Sequence, residues 1–238
     1  MTFWSDVRMI WRLRMPPAGR GTCAQRMERF YADQAASFDD FRDRLLHGRD
    51  TLMSFLDMRE QSVWVDMGSG TGRCLDFLGT RIHRLRKVYL VDVSRSMLDV
   101  ARKRIEINEW QNVTTVEAEA ALFRPEEPAD LVTFSYSLCM MSDWRAVLEN
   151  AYAMLKPGGV IGVIDFGHLH LGGFARRFWT QWFRYSGVSI LPERIAFLQA
   201  RFQQLHCSEH RGAIPYVLYF KSPYFLFVGR RGSGSYNS

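Results

Sequence analysis

Lysine is scarce in this chain. Among 238 residues only Lys87, Lys103, Lys156 and Lys221 are lysines, so nearly all the positive charge is arginine. Arginine presents a planar fork suited to phosphate or carboxylate, yet 31 basic against 25 acidic side chains leave a net charge of only +6. A charge of that size fits a solvated surface, and equally fits contact with nucleic acid or an anionic membrane. Cysteine is scarce too. Cys23, Cys74, Cys139 and Cys207 are widely scattered and form no CxxC pair, which argues against a disulfide framework or a structural zinc and points to a reducing cytoplasm. No stretch approaches the roughly 18 uncharged apolar residues of a bilayer-crossing helix. Arg8, Arg12 and Arg14 interrupt the apolar side chains of the first residues, so no secretory leader is expected. Internal repeats are absent, and the apolar share of 47% excludes a disordered chain.

What is present is an alternation of short apolar runs and helical stretches. Strands are expected over Ser62 to Met67, Lys87 to Asp92, Val113 to Glu117, Asp130 to Ser135 and Val160 to Phe166. Helices are expected over Arg73 to Arg84, Ser96 to Asn108 and Asp143 to Leu155, the last stopped by Lys156-Pro-Gly-Gly159. Such alternation calls for a parallel sheet covered by helices on both faces. After Gly173 the rhythm changes to a helical, aromatic segment and a helix from Pro192 to Gln204. Two strand-like runs follow, Ile214 to Lys221 and Tyr224 to Arg230, which read as a terminal hairpin turning at Ser222-Pro223. Ala24 to Met58 reads as two helices broken near Asp33 to Asp40.

The densest chemistry lies in Val63-Trp-Val-Asp-Met-Gly-Ser-Gly-Thr-Gly72, a strand running into a turn with glycine at every second position. Glycines let a backbone turn sharply and approach a ligand closely. A dinucleotide loop would need a glycine at position 73, which is Arg73, and no GK[ST] follows to make a phosphate cradle. Asp66 stands two residues before the first glycine, where a carboxylate repels a pyrophosphate and attracts an ammonium. Asp92, at the tip of the second strand, is placed to accept two ribose hydroxyls. S-adenosylmethionine carries an ammonium, a sulfonium and a ribose but no phosphate, and matches both acids. Glu119 follows the third strand, either as a partner of the adenine amino group or as a solvated loop carboxylate.

Asp66-x-Gly-x-Gly-x-Gly72, Asp92 and Leu155-Lys-Pro-Gly-Gly159 resemble the class I S-adenosylmethionine-dependent methyltransferases. The resemblance covers Ser62 to Asp165 and implies a Rossmann-like α/β fold, a seven-stranded mostly parallel sheet whose last strand is antiparallel. It implies that Arg49, Asp66, Gly68, Ser69, Gly70, Gly72, Asp92, Val93, Met97, Glu119, Ala120 and Ser135 bind the cofactor. A narrower resemblance runs through the flanks. Arg29-Phe-Tyr-Ala-Asp-Gln-Ala-Ala-Ser-Phe-Asp39, Leu45-Leu-His-Gly-Arg49, Ser135-Tyr-Ser-Leu138 and Pro223-Tyr-Phe-Leu-Phe-Val-Gly-Arg230 are similar to the N-methyltransferase component of bacterial betaine lipid synthase. That subgroup trimethylates the amine of diacylglyceryl-homoserine. Phe38 stands where a tyrosine is frequent, and Glu119 where aspartate is usual.

The division implied is an N-terminal helical lid and membrane-contact segment over residues 1–58, a cofactor-binding domain over 59–230 and a disordered tail over 231–238. Methyl transfer to an amine moves positive charge from sulfur to nitrogen, so positioning and a dry pocket matter more than a strong acid or a metal. No metal is expected. Tyr31 and Tyr136 are the candidate catalytic residues, with Phe38 beside them, because aromatic faces hold methylated cations. Each is alternatively a core aromatic. Arg49 is placed to pair with the cofactor's methionyl carboxylate or with a substrate carboxylate, and His168 and His170 follow the fifth strand as candidate proton acceptors. Phe174, Phe178 and Trp182 recur at helical spacing opposite Arg176, Arg177 and Arg184, as in an interfacial helix, or else as a helix packed on the sheet.

The expectation is therefore a cytoplasmic enzyme, peripheral on the inner face of the membrane, that uses S-adenosylmethionine on a diacylglyceryl lipid. The headgroup-forming 3-amino-3-carboxypropyl transferase is an expected partner, and nucleic acid is not. Alternatives on the same fold are a phosphatidylethanolamine or small-molecule methyltransferase. Outside enzymes, the arginine content alone favours a cofactor-binding scaffold or RNA-binding accessory protein.

Overall fold

The computed structural model describes residues 44–167, 191–214 and 217–232, together with the helical residues Gln25, Glu28, Arg29, Gly173, Arg177 and Gln181. Its elements are α1 (Arg49–Phe55), β1 (Val63–Met67), β2 (Lys87–Asp92), α2 (Arg95–Ile107), β3 (Val113–Glu117), β4 (Ala129–Ser135), α3 (Trp144–Met154), β5 (Leu155–Phe166), α4 (Pro192–Arg201), β6 (Gln203–Ile214) and β7 (Val217–Arg230). The seven strands form one sheet in the order β3-β2-β1-β4-β5-β7-β6. The first five run parallel, β7 is antiparallel to β5, and β6 is antiparallel to β7.

Strand alternation divides the core in two. Trp64, Val88, Leu90, Leu131, Ile164 and Leu226 face α1, α2 and the short 3-10 helices that follow β1. Val63, Val65, Tyr89, Val132, Phe134, Val163 and Phe227 face α3 and α4. Both faces of β1 are buried throughout, which is why its sequence reads as a continuous apolar run. The helices are stopped and started by local chemistry. Ser94 caps α2 by accepting from Met97 N, and Asp143 caps α3 by accepting from Ala146 N.

Two expectations are corrected. Arg73 to Arg84 forms two 3-10 segments, Arg73–Phe77 and Gly79–Arg84, rather than one α-helix. Gly79, at φ 54, breaks the turn between them, and neither segment has a side-chain cap. The terminal hairpin does not turn at Ser222-Pro223. Val217 to Lys221 of the first run and all of the second belong to the single strand β7, while Ile214 ends its partner, the polar stretch Gln203–Ile214, whose first two residues were expected to end a helix. Pro223 is tolerated because it lies where the ladder with β5 is finishing. Its carbonyl accepts from Gly167 N at 3.2 Å, just beyond the last β5–β7 register pair, Phe166 with Tyr224. The missing N–H therefore forfeits no interior ladder bond.

Candidate active site

The parallel strands point their carboxyl ends at one crevice, and β1, β2 and β4 form its floor. Opposite sides of β1 carry the strands β2 and β4, so the chain leaves neighbouring strands in opposite directions and a crevice opens between the connections. The loop after β1 enters it in left-handed conformations at Gly68, Gly70 and Gly72, with φ of 67, 55 and 69. At Gly68 the need for glycine is steric as well: a Cβ there would sit 2.4 Å from Ser137 Cβ. Gly72 differs. It lies outside the pocket lining and turns the chain against Leu90, whose Cδ1 would be 2.9 Å from a Cβ.

Asp66, the penultimate residue of β1, is 1% exposed. Its Oδ1 accepts from the Thr133 hydroxyl at 2.6 Å. Its Oδ2 has no hydrogen-bond partner in the protein; the nearby Cys74 thiol, a weak donor, does not complete one. Burial pushes the Asp66 carboxyl up to about 6, against the lowering effects of the Thr133 hydrogen bond and the Arg49 guanidinium, while the Asp92 charge raises it further. Ser69 Oγ and Ser135 Oγ are likewise buried without partners. Buried polar atoms left unpaired cost free energy. These three line the pocket and await a ligand that can hydrogen-bond.

Asp92, half-buried at the tip of β2, accepts from Gly70 N through Oδ2 at 2.8 Å and from Ser94 N through Oδ1 at 2.9 Å. One carboxylate therefore ties the glycine loop to the start of α2, with a lone pair left on each oxygen. Burial is the largest influence on its carboxyl and raises the pKa, the backbone N–H groups of Ser94 and Gly70 act in the other direction, and the charge of Glu28 raises it again. Glu28 reaches the same turn. Its carboxylate accepts from the Ser94 hydroxyl at 2.8 Å and from Ser96 N at 3.2 Å, at the N-terminus of α2, where negative charge is favoured.

Val93, Met97, Glu119 and Ala120 line the pocket beyond Asp92. Glu119 is exposed. The backbone around Ala120 is held by Asn150 of α3, whose Nδ2 donates to Ala120 O at 2.6 Å and to Phe123 O at 3.0 Å. On the other side, Arg49 begins α1 after Gly48, is 8% exposed, and lies 5.9 Å from the Tyr136 ring centroid. Tyr136 donates its hydroxyl proton to His47 O at 2.7 Å. Met140 and Met141 complete this end of the lining. Their turn is held by Asp165, a buried carboxylate at the end of β5 that accepts from Cys139 N and Phe166 N, both at 2.7 Å.

The structure thus brings Arg49, Asp66, Gly68, Ser69, Gly70, Asp92, Val93, Met97, Glu119, Ala120, Ser135 and Tyr136 to one pocket. Tyr31, Phe38, His168, His170 and the aromatic–arginine run 174–184 (apart from Arg177 and Gln181) lie outside the described residues. Sequence reading passed over Thr133, Asn150 and Asp165. Thr133 and Asp165 are polar residues embedded in apolar strands, which was the available signal. Among the described residues no group of three His, Cys, Asp or Glu side chains is arranged to hold a metal.

Parallel strands, a crossing-point crevice, a glycine turn between two acids and an antiparallel seventh strand define the Rossmann-like fold of S-adenosylmethionine-dependent methyltransferases. Residues 65–161 match the family described as a methyltransferase domain. The chain is 29% identical over 154 residues to a demethylmenaquinone methyltransferase of Anoxybacillus flavithermus, covering 64% of each protein. It is 34% identical over 113 residues to the ubiquinone/menaquinone biosynthesis C-methyltransferase UbiE of Hydrogenovibrio crunogenus, covering 46% of this chain and 44% of that protein. The chain thus spans about half to two thirds of the length of these curated relatives. Among solved structures, the N-methyltransferase NodS from Bradyrhizobium japonicum in complex with S-adenosyl-L-homocysteine superposes with a TM-score of 0.64 at 17% identity. That match covers 86% of this chain and 97% of NodS.

Proposed function

We propose that the chain holds S-adenosylmethionine in this pocket and transfers methyl groups to the amine of diacylglyceryl-homoserine, up to three times, giving the betaine lipid diacylglyceryl-trimethylhomoserine. The observation that carries the donor half is the pair of carboxylates, Asp66 and Asp92, lining one pocket beside three unpartnered polar atoms. Two carboxylates exclude a pyrophosphate by repulsion and suit a ligand with an ammonium and a diol. Asp66 Oδ2 would take the ammonium, the spare lone pairs of Asp92 the ribose hydroxyls, and Glu119 the adenine amino group. Arg49 would pair with a carboxylate of the donor or of the homoserine head. The bound cofactor supplies an electrophilic methyl on a sulfonium.

The acceptor half rests on the surface made by Tyr136, Met140 and Met141. The Tyr136 proton is already given to His47 O, so this end suits a nucleophile that brings its own lone pair. An amine does: it titrates at about 8, and its free-base fraction at neutral pH needs no strong base. Once methylated it is cationic, and the Tyr136 face would hold it by about 0.5–2 kcal/mol. Met140 and Met141 exclude water from that space. Tyr31 belongs to the proposed lid over it.

A diacyl acceptor lies in a bilayer. Among the described residues no helix is long and apolar enough to cross one. The proposal is that the aromatic–arginine run 174–184 enters the interface on the inner face of the cytoplasmic membrane. The headgroup-forming transferase would deliver the substrate there, without nucleic acid.

A second reading, methylation of a ring carbon on a lipid quinone, is favoured by the names of the curated relatives. Methyl-labelled S-adenosylmethionine, offered with vesicles of diacylglyceryl-homoserine, phosphatidylethanolamine or demethylmenaquinone, or with RNA, separates the readings. Label in the homoserine lipid is expected. Label confined to the quinone supports the second reading and overturns the first.

A further inference from the structure

Three buried side chains under the pocket form a hydrogen-bonded chain that runs one way. Trp64 Nε1 donates to Thr133 Oγ1 at 2.8 Å, and Thr133 Oγ1 donates to Asp66 Oδ1 at 2.6 Å. Trp64 and Thr133 are fully buried and Asp66 is 1% exposed. Asp66 and Thr133 are register partners on β1 and β4, and Trp64 precedes Asp66 by two residues on the same face. An indole nitrogen can only donate. Thr133 must therefore accept from Trp64, which leaves its single proton for Asp66. The carboxylate is pinned through Oδ1, and Oδ2 is the oxygen left over.

We propose that Thr133 is a positioning residue for the cofactor site, holding Asp66 ionised with Oδ2 free for a cationic ligand group, and that Trp64 fixes the direction of the Thr133 hydroxyl. This rests on reading the pocket as the methyl-donor site. The same direction dictates where a proton goes when Asp66 is neutralised: Oδ1 is engaged, so the proton falls on Oδ2, and the pocket then presents a donor where an acceptor is needed. Other groups acting on the carboxyl are Arg49 from α1, Asp92 from β2 and the Cys74 thiol from the 3-10 turn. Arg49 and the thiol favour the ionised form and Asp92 opposes it. None of them is altered by a change at Thr133.

A hydrogen bond to the charged form lowers an acid's pKa, so removing the hydroxyl raises it. Thr133→Val is nearly isosteric and leaves the Trp64 N–H without an acceptor. Thr133→Ser keeps the hydroxyl. Trp64→Phe removes the directing donor together with some core volume, and serves if Thr133→Val does not fold. The experiment is calorimetric titration of S-adenosylhomocysteine into the full chain between about pH 5 and pH 8, with the Asp66 carboxyl followed by carbon-13 NMR in the ligand-free protein. Thr133→Val is expected to weaken binding about 10-fold at neutral pH and to move both the binding midpoint and the carboxyl titration upward by about one unit. Thr133→Ser should stay within about threefold of wild type, and Trp64→Phe should fall between. Wild-type affinity and an unmoved Asp66 titration in Thr133→Val, or in Trp64→Phe where that variant replaces it, would overturn the inference while leaving the donor site intact. Failure of the wild-type protein to bind S-adenosylhomocysteine would overturn the reading of the pocket and this inference with it.

Discussion

The hydroxyl of Tyr136 donates to the carbonyl of His47 at 2.7 Å, joining the end of β4 to the residue two places before Arg49. Tyr136 sits at φ 55, a left-handed conformation that costs a non-glycine residue on the order of 1–3 kcal/mol and persists only where the surroundings enforce it. Here they do: Tyr136 N donates to Ile164 O at 2.7 Å, and the ring packs at 4.9 Å from Phe166. Burial raises the phenol well above its ordinary range, with Arg49 acting in the other direction. At neutral pH the phenol is protonated, and its proton is engaged.

Tyr136 therefore serves through its ring and its tether, and its hydroxyl does not act as a base. Tyr136→Phe keeps the ring and is expected to lower turnover by no more than about 10-fold, with an unchanged pH–rate profile. Tyr136→Ala should lose more. Initial rates across pH for both variants check this; a profile that loses one limb in Tyr136→Phe would make the hydroxyl a proton acceptor.

Asp92 holds the glycine loop and α2 together and has lone pairs to spare. Asp92→Ala should weaken S-adenosylhomocysteine binding by about 1–3 kcal/mol, because two ligand hydroxyls lose their acceptor. Calorimetry returning wild-type affinity would remove Asp92 from the site.

Asp66 sets stability against binding. Its carboxyl is raised from 3.8 to about 6 by burial, so the folded protein prefers the protonated form. The stability this provides is complete below the unfolded value and is lost as pH rises through the folded one, from about 4 to 6, by up to about 3 kcal/mol. Asp66→Asn should therefore raise the Tm of the ligand-free protein at neutral pH and flatten its dependence on pH over that window. The same variant should weaken S-adenosylhomocysteine at least 10-fold. Differential scanning calorimetry from acid to neutral pH tests the first effect; a Tm that falls in Asp66→Asn at neutral pH contradicts it.

Membrane contact is testable apart from chemistry. Trp182→Glu, in the aromatic–arginine run, should reduce sedimentation with anionic vesicles and leave S-adenosylhomocysteine affinity unchanged. Unaltered vesicle binding would assign that run to packing.

Much of this architecture was legible because the central parallel strands are buried on both faces and short β-branched runs mark their neighbours. Lys87 to Asp92 and Val113 to Glu117 were expected with the bounds they have, and Asp66 and Asp92, singled out by their places at the strand ends, both line one pocket. Strand β6 was not legible. As one of the two edge strands of the sheet, paired with β7 alone, it can be polar, and Gln203-Gln-Leu-His-Cys-Ser-Glu-His210 carries no apolar run. The 3-10 segments after the glycine loop were read as α-helix because their apolar spacing is helical, while the break at Gly79 depends on backbone geometry. Thr133 and Asp165 were passed over for another reason. Their partners, Asp66 and Cys139, are distant in sequence, at separations of 67 and 26 residues, and only strand pairing brings them together.

The central claim is that methyl groups go to the nitrogen of a homoserine-headed lipid. The most direct measurement is tandem mass spectrometry of diacylglyceryl-homoserine vesicles after incubation with the full chain and S-adenosylmethionine. The account predicts headgroup fragments carrying one, two and then three added methyl groups, all on the nitrogen. Unmodified homoserine lipid, alongside a methylated quinone ring in a parallel sample, would contradict it.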